Sequence, residues 1–83
     1  MDWFLYIVEC QDKSLYTGIT TNIVRRIKQH NSGTGAKAIV KSKRPVKLVY
    51  TEKFKNKSLA SKRESAIKNW TRLNKMKLIS NSK

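Results

Sequence analysis

Cysteine and histidine occur once each in this chain of 83 residues, proline once and glycine three times, and only 5 residues are acidic. Each scarcity excludes something. A lone thiol, Cys10, leaves no internal disulfide and no thiolate cluster for zinc. At the end of an apolar stretch it reads as a buried, inert side chain. A single imidazole, His30, excludes metal sites built on paired histidines. The acids Asp2, Glu9, Asp12, Glu52 and Glu64 are scattered. They cannot form a multi-carboxylate two-metal cluster, so any metal site rests on one acid. Long apolar runs are missing too. The N-terminal one extends only from Trp3 to Val8, too short for a signal peptide or a membrane span. A cytosolic location is expected. The stretch Gly33-Thr34-Gly35-Ala36-Lys37 lacks the spacing and the following Ser or Thr of a P-loop.

What is abundant is positive charge, with 19 Lys and Arg and a formal net charge of +14. Self-repulsion of that size opposes compaction in a small domain, which points to a polyanionic partner. Nucleic acid fits best. An anionic membrane would need a helix with a broad apolar face to spare beyond what the core uses, and neither main helical segment offers one. The length suits one domain over residues 1–83, with its core at about 3–79.

The aromatic and β-branched run Trp3–Val8 predicts a strand covered on both faces. Gln11-Asp12-Lys13-Ser14 supplies a turn and Leu15–Ile19 a second strand, which makes an antiparallel hairpin. Thr20, Thr21 and Asn22 are competent caps for a first helix from about Asn22 to His30, ended by Asn31, Ser32 and Gly33. A flexible basic loop carrying Lys37, Lys41, Lys43 and Arg44 leads to a third strand, Val46 to Thr51. Ser58 can cap a second helix with Leu59, Ala66, Ile67 and Trp70 on one side. A shorter helical turn from about Asn74 to Ile79 is expected to follow. The fold class is α+β, a small three-stranded antiparallel sheet flanked by helices, in the order β-β-α-β-α with a short third helix.

Phosphodiester hydrolysis requires an activated water, cationic stabilisation of the phosphate and, in most enzymes, a metal. Glu64, at the border of the face marked by Ala60 and Ile67, is the best placed acid. Its other readings are a capping box with Ser61 and an ion pair with Lys68 at i,i+4. Arg26 and His30 share a side of the first helix, flanking Ile23 and Ile27, and could hold a phosphate or form a solvated basic edge. Arg25 points about 100° away. Tyr6 and Tyr16 lie on adjacent strands as core aromatics or as phenols able to position or deprotonate a water. These residues alone describe a basic nucleic-acid binder and leave the nuclease open.

Phe4-Leu5-Tyr6, Tyr16-Thr17-Gly18, Arg26-Ile27-x-x-His30 and Glu64, in that order, resemble the GIY-YIG nuclease superfamily, above all its compact stand-alone bacterial members. The resemblance spans Trp3 to about Ile79. It implies that one phenol, Tyr6, helps activate the attacking water while Tyr16 supports it. It further implies that Arg26 steadies charge on the phosphate, that His30 has an accessory or phosphate-binding role, and that Glu64 binds a single Mg2+ or Mn2+. Gly18 matches the motif glycine and is expected to let the chain turn tightly into the helix. Phe4 stands in place of the first motif's glycine and Thr17 in place of the second motif's isoleucine. Asn69 and Asn74 are the nearest counterparts of a downstream family asparagine, at a poorly fitting spacing.

Two functions stand side by side at this point: a divalent-metal-dependent endonuclease acting on DNA, in repair or recombination, and a non-catalytic DNA- or RNA-binding module on the same fold. For either, Arg25, Lys37, Lys41, Lys43, Arg44, Lys62, Arg63 and Lys68 are the expected nucleic-acid contacts. Target choice is expected to come from the basic loop and helices or from a partner protein.

Overall fold

A computed structural model describes residues 1–33 and 41–81. Strand β1 (Trp3–Glu9) lies between β2 (Leu15–Thr20) and β3 (Lys47–Phe54), antiparallel to both. A central strand with both faces covered cannot alternate apolar with polar residues, and Leu5, Tyr6, Ile7 and Val8 are all buried. The hairpin turn is closed by Asp12, whose carboxylate accepts from the Ser14 N–H and hydroxyl at 3.0 and 2.6 Å. Lys13 adopts φ +72° at its tip.

The pleat sends alternate residues of β1 to two separate cores. On one side Tyr6 and Val8 pack with Cys10, Val46, Tyr16 and Ile27, the last from helix α1 (Ile23–Ser32). On the other, Leu5 and Ile7 meet Ile67 of helix α2 (Lys57–Ile67) and Ile79 of helix α3 (Arg72–Asn81). Burying a side chain of this size contributes about 1.5–3 kcal/mol, so the two isoleucines hold both C-terminal helices to the sheet.

Helix α1 starts where Asn22 accepts the Arg25 N–H at 3.0 Å, and it ends at Gly33 with φ +90°. A Cβ on Gly33 would lie 2.7 Å from Nη1 of Arg44. The expected architecture is present, with corrections. The first helix continues through Asn31 and Ser32, and the third runs ten residues, capped by Thr71, whose hydroxyl accepts from the Asn74 N–H at 3.2 Å. Strand β3 begins at Lys47 and continues to Phe54. Its alternation breaks where the partner of β1 jumps from Tyr50 to Leu48, leaving Val49 in a bulge and setting both Val49 and Tyr50 toward α2 and α3.

The cap of α2 is Asn56, which accepts from the Leu59 N–H at 3.0 Å, in place of Ser58. Its buried residues are Ala60 and Ile67, while Leu59 and Ala66 are exposed and Trp70 lies beyond the helix end. Three turns of α2 thus show one narrow stripe to the sheet, with Arg63 and Glu64 beside it. Lys41, Ser42 and Lys43 form a short 3-10 turn at the end of the segment expected to be a loop.

Candidate active site

The first core contains a group of rings. Tyr6 and Tyr16 project to the same face from adjacent strands, and His30 reaches them from the last turn of α1. The ring centroids are 6.4 Å apart for the two tyrosines, 5.7 Å for Tyr6 and His30, and 5.4 Å, edge to face, for Tyr16 and His30. The Tyr6 hydroxyl lies 2.7 Å from Nε2 of His30 and accepts from Nε of Arg26 at 3.4 Å. Arg26 and His30 are one turn apart on α1, so one helix face delivers both to the same phenol. Nη1 of Arg26 also donates to Gln29 at 3.1 Å.

Gly18 makes this arrangement sterically possible. It pairs with Tyr6 across the hairpin, and a Cβ there would sit 2.5 Å from the Tyr6 oxygen and 2.7 Å from Cζ. The expectation that it turns the chain into the helix is corrected: Gly18 lies within β2, and the close approach of the Tyr6 ring requires the missing side chain.

Burial decides the protonation of the group. Both phenols are held above the usual tyrosine value chiefly by desolvation; the Arg26 charge pulls each of them down and the Glu64 charge pushes each up. His30 is held below the usual imidazole value, first by burial and then by Arg26. Its ring is therefore neutral near pH 7. In the tautomer with Nε2 unprotonated, Arg26 donates to Tyr6 and Tyr6 donates to His30, a continuous chain with each donor used once.

Glu64 stands on α2, half-buried, close enough for its charge to act on both phenols. The other four of the five acids form ion pairs: Asp2 with Lys53 at 3.2 Å, Asp12 with Lys43 at 3.9 Å, Glu52 with Arg63 at 3.1 Å and Glu9 with Arg72 at 3.6 Å. Among the described residues Glu64 pairs with no cation, Lys68 included, and with α2 capped at Asn56 the Ser61 capping box does not form. An unpaired carboxylate in a chain of net charge +14 suits a divalent cation. Among the described residues no three His, Cys, Asp or Glu gather as a metal-holding group.

The structure thus brings Tyr6, Tyr16, Arg26 and His30 into contact, with Glu64 near enough for its charge to act on both phenols. The expected nucleic-acid contacts divide. Arg25, Lys62 and Lys68 are exposed. Lys43 pairs with Asp12, and Arg44 folds over Gly33 with its Nε buried and unpaired. Arg63 is committed to Glu52 by two hydrogen bonds of 3.1 and 3.2 Å, and Tyr50 donates to the same carboxylate. Lys37 and the side chain of Lys41 lie outside the described residues. Asn69 and Asn74 are exposed, Asn74 on the first turn of α3. Sequence reasoning missed the Tyr50–Glu52–Arg63 group and Lys75, which is buried and has its amine held below the usual lysine value by desolvation. Arg63 resembles its basic neighbours in sequence, and only the bulge in β3 brings Tyr50 and Glu52 to it.

A three-stranded antiparallel sheet with three helices, two tyrosines, an arginine and a histidine gathered on one of its faces, defines a small α+β domain. Residues 2–77 match the family described as the GIY-YIG catalytic domain, and the chain belongs to that family. It is 53% identical over 77 residues to a UPF0213 protein of Desulfotalea psychrophila, covering 93% of this chain and 70% of that one. A UPF0213 protein of Staphylococcus haemolyticus is 54% identical over 76 residues, 92% of each chain. The solution structure of a UPF0213 protein from Bacillus halodurans is similar with a TM-score of 0.61 at 44% identity, covering 96% of this chain and 84% of its own. That of a protein from E. faecalis gives 0.66 at 44%, covering 98% and 85%. The GIY-YIG family is one of nucleases, in general dependent on divalent metal, whose partner is nucleic acid. No helix among the described residues is long and apolar enough to cross a membrane.

Proposed function

We propose that this chain is an endonuclease that cleaves DNA with one divalent cation, Mg2+ or Mn2+, held by Glu64. The observation that carries this reading is that, among the described residues, Glu64 alone of the acids has no cation partner, while its charge reaches the two phenols of a hydrogen-bonded ring cluster.

The bound cation would supply electrophilic stabilisation of the phosphate and its departing oxygen. Tyr6 then acts on the attacking water. Because burial disfavours a free phenolate, the supported route is a relay: as the water oxygen bonds to phosphorus, its proton passes to the Tyr6 oxygen and the Tyr6 proton passes to Nε2 of His30. The phosphorus–oxygen bond to the leaving strand breaks, and the proton is held on the imidazole. A neutral His30 is the protonation state that can accept it. Arg26, which donates to Tyr6, would steady the negative charge that grows on the phosphate. Tyr16 packs edge-on against His30 and fixes the imidazole plane. Arg25, Lys62 and Lys68 serve as backbone contacts that set register without reading sequence. Branched or damaged DNA, the substrates of repair and recombination, suits such recognition.

The test is cleavage of duplex, single-stranded and branched DNA in Mg2+ or Mn2+ by wild type and Glu64→Gln, with folding and DNA binding measured for both. Cleavage lost by about 10²–10³ in the variant with binding retained is the expected result. Equal cleavage by both would point to a contaminant and deny Glu64 its role, and no cleavage by either while both bind would replace this reading with that of a binding module.

A further inference from the structure

Away from the ring cluster, the turn between α2 and α3 carries an exposed indole. Trp70 is held by its backbone N–H to the Ile67 carbonyl at 3.0 Å, and the residue is 37% exposed. It forms one end of a groove of about 520 Å3 whose other walls are Asn74, Lys77, Leu78 and Asn81, a single stripe along α3. The Arg63 guanidinium, fixed by its two bonds to Glu52, lies 5.8 Å from the centre of the indole. The ring is therefore oriented before anything binds. Among the described residues no carboxylate lines the groove, and the groups that do are an aromatic face, two amides able to donate and accept, an apolar side chain and an ammonium.

We propose that this groove is a stacking site for an unpaired nucleobase, with Trp70 as the platform, Asn74 and Asn81 as partners for the base edge and Lys77 as the phosphate contact. The proposal rests on the nucleic-acid reading above and adds to it a preference for strands whose bases are accessible. A base needs a π-face, hydrogen-bonding groups for its edge and a cation for its phosphate, and the groove's lining includes all three. A protein partner docking here would have to meet Lys77 and Arg63 in a chain of net charge +14, which again selects for an anion. Arg63 directly precedes Glu64 in α2, so the platform and the candidate metal ligand flank the same helix.

The experiment uses the full chain carrying Trp3→Phe, which leaves Trp70 as the only indole. Its emission is followed while titrating oligothymidylate on the order of ten nucleotides long, oligouridylate of equal length, an abasic strand of equal length and charge, and a blunt duplex. Quenching by thymidylate or uridylate and not by the abasic strand or duplex is expected. Their relative strength tells DNA from RNA as the source of the base. Trp70→Ala should weaken binding of the base-bearing strand about tenfold or more while leaving the abasic strand and duplex unchanged, and Trp70→Phe should retain most of the affinity. Equal quenching by the abasic strand, or an equal loss for every ligand in Trp70→Ala, would overturn the proposal while leaving the nuclease reading intact. A protein that dimerises through Trp70 in the absence of nucleic acid would also overturn it, by giving the groove another occupant. Failure to bind any of the four ligands would overturn the nucleic-acid reading and this proposal together.

Discussion

Thr17 and Gly18 are neighbours in β2 with opposite problems of space. Gly18 must have no side chain because the Tyr6 oxygen occupies its place. Thr17, one step along, faces the other core beside Ile7, where its hydroxyl is buried without a hydrogen-bond partner. An unmatched buried hydroxyl costs about 1–3 kcal/mol relative to an apolar group of the same shape. Thr17→Val should therefore stabilise the fold by about 1 kcal/mol, a rise in melting temperature of about 4–8 °C for a domain of this size. A melting temperature that is unchanged or lower would mean that the hydroxyl has a partner.

His30 sets a pH limit of the opposite kind, since its folded pKa lies below the ordinary 6.5. As pH falls, the unfolded chain takes up the proton first. The stability tied to the neutral imidazole is thus fully present above pH 6.5 and is lost as pH falls from there through the folded value. The His30 ring resonances should keep their neutral positions below pH 6.5, and the denaturation midpoint should drop across the same window; a ring that titrates at or above that pH would contradict the assignment. At this scale the sequence was informative about identity. Tyr6, Tyr16, Arg26, His30 and Glu64 could all be named as candidates because their ordered motifs resemble the GIY-YIG family. The bond between Tyr6 and His30, 24 positions apart, could not. It depends on α1 crossing the sheet face at one angle, which no local pattern encodes.

Among the elements, α2 matters most, because it carries Glu64 and shows only a narrow apolar stripe to the sheet. Ala60 and Ile67 seat the helix but leave its rotation weakly defined. Glu52 of β3 supplies the missing constraint by gripping Arg63 with both oxygens while accepting from Tyr50. Burial together with that carboxylate pushes the Tyr50 phenol up to about 12. Substituting Glu52→Gln should lower stability by about 1 kcal/mol, modest because the pair is partly solvated. Hydrogen exchange should quicken at the α2 amides that follow Ala60, and cleavage should fall more than DNA affinity. Unaltered exchange in α2 would show that Ala60 and Ile67 suffice. The sheet, its hairpin and the first helix were legible because their patterns are local. The cap of α2 was misread because Asn56 and Ser58 are equally competent and two residues apart. The bulge at Val49 was hidden because a single inserted residue leaves the composition of β3 unchanged.

Over the whole molecule, the basic side chains differ in what they meet. Among the described residues Arg63, Arg72, Lys43 and Lys53 are paired with acids, whereas Arg25, Lys62 and Lys68 are exposed, the ones proposed to contact a polyanion. Composition announced the partner class but could not separate these side chains, since pairing is a property of the fold. Binding driven by phosphate contacts weakens steeply with salt, so catalysis has to be measured where binding is saturated and equal. Under those conditions the most direct measurement is single-turnover DNA cleavage in Mg2+ or Mn2+ by wild type and Tyr6→Phe, at low salt and with matched affinity and folding. Removing one hydroxyl deletes the bonds to His30 and Arg26 together. The expected result is a rate lower by about 10²–10³ with DNA binding unchanged. Equal cleavage rates for the two proteins would contradict a catalytic role for the ring cluster.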